Sequence, residues 1–332
     1  MLSTLLATAA LAAAAPAAAP ATPDLGPNLE RFAYPHPVKR FTATPQGEPV
    51  AMAYMDIAPT APANGRTVLL LHGKNFCAAT WGTTADTLAA KGYRVIAPDQ
   101  IGFCKSSKPA GFQYSFATLA GLTDALLADR GLKKVDVVGH SMGGMLAVRF
   151  ALLHPDRVDR LVLVNPLGLA DRVAQGVPPA MLTQLIAEEN KSSAASIKGY
   201  QLANYYHGTW RPEYDKWVAM SAGMSAGPGR AIVANAQART SDMIQTQPIA
   251  YELDRLRVPT TLMIGMRDTT AFGRARAPAA IRASIPAIPA LAEMATRRIP
   301  GARLVKFDAL GHSPQVEDPA TFQAALLVAL TR

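Results

Sequence analysis

The chain is poor in the residues on which small scaffolds and metal sites depend. Only two cysteines, Cys77 and Cys104, occur in 332 residues, which excludes a disulfide-dense mini-scaffold and a four-cysteine zinc site. No C-x-x-C and no closely spaced pair stands among the six histidines, so no metal-ligand set is visible and no metal is expected. Charged residues make up only 17% of the chain against 49% apolar, which excludes a disordered or fibrous protein. Past the N-terminus no run approaches the roughly 20 apolar residues that span a bilayer, so no stable membrane insertion is expected. No period of about 20 to 50 residues recurs, which excludes a repeat architecture.

The N-terminus lacks charge altogether. Met1 to Pro23 carries no ionisable side chain, and Leu2 to Ala15 is a short run of Leu, Ala and small residues interrupted afterwards by Pro16 and Pro20. With A-x-A-like sites near Ala17 to Ala21, residues 1–21 read as a signal peptide, the mature chain beginning near Ala21 or Thr22. The n-region has no Lys or Arg and only the α-amino charge. The reading places the protein outside the cytoplasm, periplasmic or secreted.

Beyond it, short apolar runs that end in turns alternate with helical patterns. Thr67–His72, Tyr93–Ala97, Val135–Val138, Arg160–Asn165, Thr260–Ile264 and Ala302–Phe307 predict buried parallel strands. Helices are expected near 81–91, 116–129, 142–154 and 319–330, and an antiparallel hairpin over Val38–Ile57, broken at Pro45-Gln-Gly47. This alternation predicts a doubly wound, mostly parallel α/β sheet. From Asn165 to Thr260 the spacing of 95 positions far exceeds a helical crossover of about 20 residues. Residues 167–255 are therefore expected to be a helical lid inserted between the sixth and seventh strands, with 22–166 and 256–332 forming the core. The insertion contains Tyr200, Tyr205, Tyr206, Trp210, Tyr214 and Trp217, six of the 22 aromatics. They serve either as its own core or, with Tyr205, Tyr206 and Trp210 foremost, as the lining of an apolar substrate pocket.

Gly139-His140-Ser141-Met142-Gly143 directly follows a predicted strand and directly opens a predicted helix. A serine on that sharp turn is lifted off the strand end above a helix N-terminus, and the flanking glycines allow the close backbone approach. A hydroxyl is a poor nucleophile near neutral pH and needs a base oriented by an acid. Asp268 follows the strand 260–264 and His312 follows the strand 302–307, so the candidate catalytic set is Ser141, Asp268 and His312. The other histidines fit less well: His72 reads as ordering its own turn, and His207 remains a candidate substrate contact. Acyl transfer also needs two N–H donors for the developing oxyanion. Met142, after the nucleophile, supplies one, and the turn His72-Gly73-Lys74-Asn75 the other, from Lys74 or alternatively Asn75. The Lys74 ammonium is expected either to point to water or to meet an anionic substrate group.

These motifs resemble an α/β-hydrolase-fold serine hydrolase over about Phe41 to the C-terminus. The resemblance rests on His72-Gly73, on Pro98-Asp99-Gln100-Ile101-Gly102 with Lys105-Ser106-Ser107, on Gly139 to Gly144, and on Asp268 and Gly311-His312. The blocks HGKNFCAATW and PDQIGFCKSSKP are similar to an uncharacterised exported subgroup. Esterases and carbon–carbon bond hydrolases share the plan, whereas the related epoxide hydrolases and haloalkane dehalogenases carry Asp where Ser141 stands. By the same resemblance Cys77 and Cys104 lie on neighbouring loops, either as a disulfide or as two buried thiols.

The formal charge of +9 is concentrated in residues 267–306, where eight Lys and Arg face two acids. That stretch is either a solvated basic face or an attraction for anionic substrates or a membrane surface. No nucleic-acid module is visible, so nucleic acid is not an expected partner. The expected function is cofactor-free hydrolysis of a small to medium carboxylic ester through an acyl-enzyme. The alternatives are a carbon–carbon bond or lactone hydrolase with the same triad, a perhydrolase, or a non-catalytic ligand receptor on the same fold.

Overall fold

The computed structural model describes residues 22–331, so the signal-peptide reading of 1–21 lies outside the described residues. Eight strands form one sheet: β1 (Val38–Ala43), β2 (Val50–Ile57), β3 (Thr67–Leu71), β4 (Arg94–Pro98), β5 (Val135–His140), β6 (Val158–Val164), β7 (Thr260–Gly265) and β8 (Arg303–Phe307). Their spatial order is β1-β2-β4-β3-β5-β6-β7-β8. β3 to β8 pair in parallel, while β1 and β2 form the antiparallel hairpin and β2 runs antiparallel to β4.

Side chains along a strand alternate between faces, and here both faces are apolar, which is why the runs read as continuous. Leu69, Leu71, Val137, Leu161, Leu163 and Leu262 point to one side, with α2 (Phe116–Asp129), α3 (Met142–Leu153) and α9 (Ile288–Arg298). Val68, Leu70, Val138, Val162, Val164 and Met263 point to the other, against α1 (Gly82–Ala89) and α11 (Pro319–Thr331). α11 offers Phe322, Leu326 and Leu330 at four-residue spacing, all buried. Each such side chain contributes about 1.5–3 kcal/mol relative to exposure.

Four helices lie between β6 and β7: α4 (Leu182–Asn190), α5 (Ala194–Asn204), α6 (Asp215–Met224) and α7 (Arg230–Thr246). α4 and α7 meet through Leu185 and Ala238, and α5 is started by Ser193, whose Oγ accepts the Ser196 N–H at 3.2 Å. Two helices outside the expected set follow β7: α8 (Ala279–Ser284) and α9. α8 is only six residues long, between Pro278 and Pro286, whereas α9 buries Ile288, Leu291, Ala292 and Ala295 at helical spacing, a period present in the sequence. α10 (Pro314–Glu317) is a single turn immediately after His312.

Candidate active site

β5 ends at His140 and α3 begins at Met142, so Ser141 alone makes the corner, at φ 57° and ψ −118°. A side-chain residue in this region costs about 1–3 kcal/mol and persists only where the surroundings over-determine it. Here the Ser141 N–H donates to the Val164 carbonyl at 2.9 Å, and its own carbonyl accepts the N–H groups of Gly144 (3.0 Å) and Leu167 (3.1 Å). A Cβ on Gly139 would lie 2.3 Å from the Gly143 oxygen, and one on Gly143 would lie 2.3 Å from the Leu71 oxygen. Only glycine lets strand, helix and the end of β3 meet backbone to backbone at this corner.

The three predicted side chains come together although they stand far apart in the chain. His312 Nε2 lies 2.9 Å from Ser141 Oγ, and His312 Nδ1 lies 2.7 Å from Asp268 Oδ2. A carboxylate only accepts, so Nδ1 carries the proton and Nε2 keeps a lone pair facing the serine hydroxyl. Asp268 is held in turn by the Asn165 amide, which donates to Oδ2 at 2.8 Å, and by the Thr270 N–H, which donates to Oδ1 at 2.7 Å. Ser141 is 2% exposed and His312 fully buried, so the hydroxyl is closed off from solvent.

The turn after β3 lies directly against Ser141: a Cβ on Gly73 would come within 3.0 Å of the Ser141 Cβ. The N–H groups of Lys74 and Met142 make no hydrogen bond among the described residues. His72 orders this turn, its Nδ1–H donating to the Gly73 carbonyl at 2.9 Å while Nε2 accepts the Gln100 N–H at 3.0 Å. Burial depresses its basicity, in keeping with that neutral tautomer. The Lys74 ammonium neither points to water nor lies open for an anion. It donates to Glu189 on α4 at 2.7 Å and to Gln237 on α7 at 3.2 Å, tying the turn to the insertion. The Asn75 side chain donates to the Tyr205 hydroxyl at 2.9 Å.

The structure separates the three pocket candidates. Tyr205 lies over the site, its ring centroid 4.5 Å from that of His312, and burial raises its hydroxyl well above the usual range. Tyr206 stacks on Tyr214 at 3.9 Å with Trp210 edge-on to both, so these two build the insertion's own aromatic core. His207 turns toward Glu317 behind His312, at 3.5 Å. Several cations of the 267–306 stretch are engaged in structural contacts: Lys306 with Glu293, Arg298 with the Ala250 carbonyl, Arg282 with the Ala277 carbonyl.

Cys77 and Cys104 are joined in a disulfide with their Cα atoms 5.9 Å apart. Beside it Asp99 accepts from the Tyr34 hydroxyl (2.6 Å) and from the N–H groups of Ala78 (2.8 Å) and Lys105 (3.1 Å). Cys77, Asp99 and Cys104 are the one cluster of potential metal ligands among the described residues, and its sulfurs are consumed by the bond. Sequence reasoning missed Asn165, the hydrogen bond from His140 Nε2 to the His312 carbonyl at 2.9 Å, and Glu317. Asn165 had a usable signal, a polar residue at the carboxyl end of a buried strand.

The sheet order is that of one fold family. The chain belongs to the alpha/beta hydrolase fold family, whose model matches residues 66–319. It is similar to the crystal structure of a probable hydrolytic enzyme from Pseudomonas aeruginosa PAO1, with 55% identity and a TM-score of 0.91 over 93% of this chain and 99% of that one. A 2-hydroxy-6-oxo-2,4-heptadienoate hydrolase of Pseudomonas putida is 40% identical over 120 residues, 34% of this chain and 42% of that protein. This chain thus matches under half the length of that curated relative. An esterase from Exiguobacterium antarcticum shares the fold at 22% identity, with a TM-score of 0.66 over 85% of this chain and 96% of that one.

Proposed function

We propose that the protein is a serine hydrolase that cleaves a small to medium carboxylic ester through an acyl-enzyme. The unbroken chain from Asp268 through His312 to Ser141 carries this reading. His312 Nε2 takes the hydroxyl proton as Ser141 Oγ bonds to the ester carbonyl carbon, and Asp268 stabilises the imidazolium. The N–H groups of Lys74 and Met142 hold the oxyanion. Collapse breaks the carbon–oxygen bond of the ester, and the imidazolium returns its proton to the leaving alcohol. Water, activated by the same base, then releases the acid. No metal or cofactor enters this scheme.

Residues 167–255 act as a lid in this reading. The near-zero exposure of Ser141 and His312 supports an opening movement before substrate can enter. Export is part of the proposal too, since a disulfide suits an oxidising compartment.

A p-nitrophenyl ester series from acetate to decanoate, followed by burst kinetics on wild type and Ser141→Ala, tests the reading. A chain-length optimum that vanishes in the variant supports it. No turnover above the variant on any ester overturns ester hydrolysis. The similarity to the heptadienoate hydrolase favours carbon–carbon bond cleavage by the same triad as the second reading.

A further inference from the structure

The loop that carries His312 is held by a residue to which the proposed chemistry assigns no part. Three successive N–H groups, those of Gly311, His312 and Ser313, each find an acceptor. Gly311 N–H donates to both oxygens of Glu317, at 2.9 and 3.0 Å, and Ser313 N–H to Glu317 Oε1 at 3.2 Å. Between them the His312 N–H donates to the Tyr205 carbonyl at 2.9 Å. Glu317 is 4% exposed, yet it also borders a cavity of about 610 Å³ together with Gln315, Arg211 and Tyr214. Water and protons therefore have a route to it that does not pass Ser141.

We propose that Glu317 is a positioning residue of the triad: its charged carboxylate clamps the peptide units on both sides of His312 and keeps the imidazole between Asp268 and Ser141, and protonation releases the clamp. A carboxylate offers lone pairs to all of these donors at once, whereas a protonated carboxyl turns one oxygen into a donor. His207 Nε2, 3.5 Å from Oε2, is placed to accept a hydrogen bond from the carboxyl that keeps the proton, which would draw one oxygen away from Gly311. His207 itself has the left-handed φ of 41°. The other titratable or charged groups around Glu317 are His312 on its own segment, Asp268 at the end of β7, and Tyr206, Arg211 and Tyr214 from the insertion. Arg211 donates to the Glu317 backbone carbonyl at 3.0 Å rather than to its carboxylate. Burial pushes the carboxyl up to about 7, against the opposing pull of the Gly311 and Ser313 N–H groups.

The proposal rests on the serine-hydrolase reading. Two protonations, of Glu317 and of the base, then shut down turnover as pH falls, and the acid limb of log kcat/KM approaches a slope of about two. Profiles between about pH 5 and 9 are compared for wild type, Glu317→Gln and Glu317→Asp, with Ser141→Ala as the blank. Glu317→Gln keeps one acceptor and cannot ionise. It is expected to lower kcat on the order of 10- to 100-fold with KM nearly unchanged, and to reduce the acid limb to a slope of about one. Glu317→Asp keeps the charge one methylene short, so it lowers kcat but retains the steep limb.

A wild-type limb of slope one, or a Glu317→Gln enzyme with wild-type kcat, overturns the proposal even if the other variants do not fold. Labelling of Ser141 by a fluorophosphonate separates the two failures. If wild type labels and turns over while the Glu317 results are flat, only the clamp is wrong. If wild type neither labels nor exceeds Ser141→Ala, the hydrolase reading falls and the clamp with it.

Discussion

Asn165 donates its side-chain amide to Asp268 on Oδ2, the same carboxylate oxygen that accepts from His312. Its own Oδ1 accepts the N–H of Gly265 at 3.0 Å, so one buried amide ties the end of β6 to the end of β7 and aims the acid. Removing it with Asn165→Ala leaves Asp268 free to rotate and the Gly265 N–H without a partner. Turnover of the best ester is expected to fall by about 10- to 100-fold with little change in KM. Chemical denaturation should register a loss of about 1–3 kcal/mol. Unchanged kcat would remove Asn165 from the set of residues that orient the acid.

Glycines in this chain are not equivalent. Gly143→Ala drives a Cβ to 2.3 Å from the Leu71 oxygen and 2.6 Å from the His72 oxygen, both backbone atoms. Destabilisation of about 1–3 kcal/mol or more is expected, because neither strand nor turn can retreat. Gly121→Ala in the middle of α2 meets nothing within 4 Å and is expected to stabilise by about 0.5–1 kcal/mol through helix propensity. Melting temperatures of the two variants should move in opposite directions.

The Cys77–Cys104 bond closes a separation of 27 residues. On the chain-entropy account such a loop contributes about 3–4 kcal/mol. Incubation with a thiol reductant should lower the melting temperature accordingly, and the double variant Cys77→Ser with Cys104→Ser should reproduce the lowered value without reductant. Thiol titration of unfolded, unreduced protein should find no free thiols, and two per chain would contradict the bond.

Lys108 lies beside this disulfide, its ammonium donating to the carbonyls of Cys104 (2.6 Å) and Ser106 (3.2 Å) and to Asn28 Oδ1 (3.2 Å). Burial pulls it down to about 7 from an ordinary 10.5, against the attraction of Asp99 and Glu30. Between those values the unfolded chain binds the proton that the folded chain has released, so stability rises with pH across that window. Urea midpoints measured at about pH 7 and pH 9.5 should show this rise in wild type, and Lys108→Met should flatten it. A variant with the same slope as wild type would show that Lys108 is not its source.

Local chemistry explains how much of the site was legible in the chain. A parallel strand inside the sheet has to be largely apolar, so the run Val135–Val138 marks its own carboxyl end. Arg303–Phe307, expected to be buried, is instead the edge strand, with Arg303 and Lys306 exposed and only Phe307 buried. The turn residues that follow, Ser141 between two glycines and His312 after Gly311, are then found by position. The same rule led to Asp268 after β7 and to the Lys74 and Met142 N–H groups, because backbone donors follow from chain direction. β1 and β2 were legible through their alternation around a Pro-Gln-Gly turn. α8 was not, being six residues between two prolines, while α9 carries a helical period in Ile288, Leu291, Ala292 and Ala295 that the strand-to-strand reading passed over.

Sequence alone therefore determined the alternation of strand and helix and which residues stand at strand ends. Tertiary structure decided which distant side chains meet. The Asn165 amide reaches Asp268 across 103 positions, Lys74 reaches Glu189 across 115, and His140 reaches the His312 carbonyl across 172. The stretch between β6 and β7 likewise sends Tyr205 against His312 and Tyr206 onto Tyr214, although the two are adjacent in sequence. A local pattern reports the backbone state and the buried face of each element. The partner of a buried polar group depends on how those elements pack against one another, and every such group must find a partner somewhere.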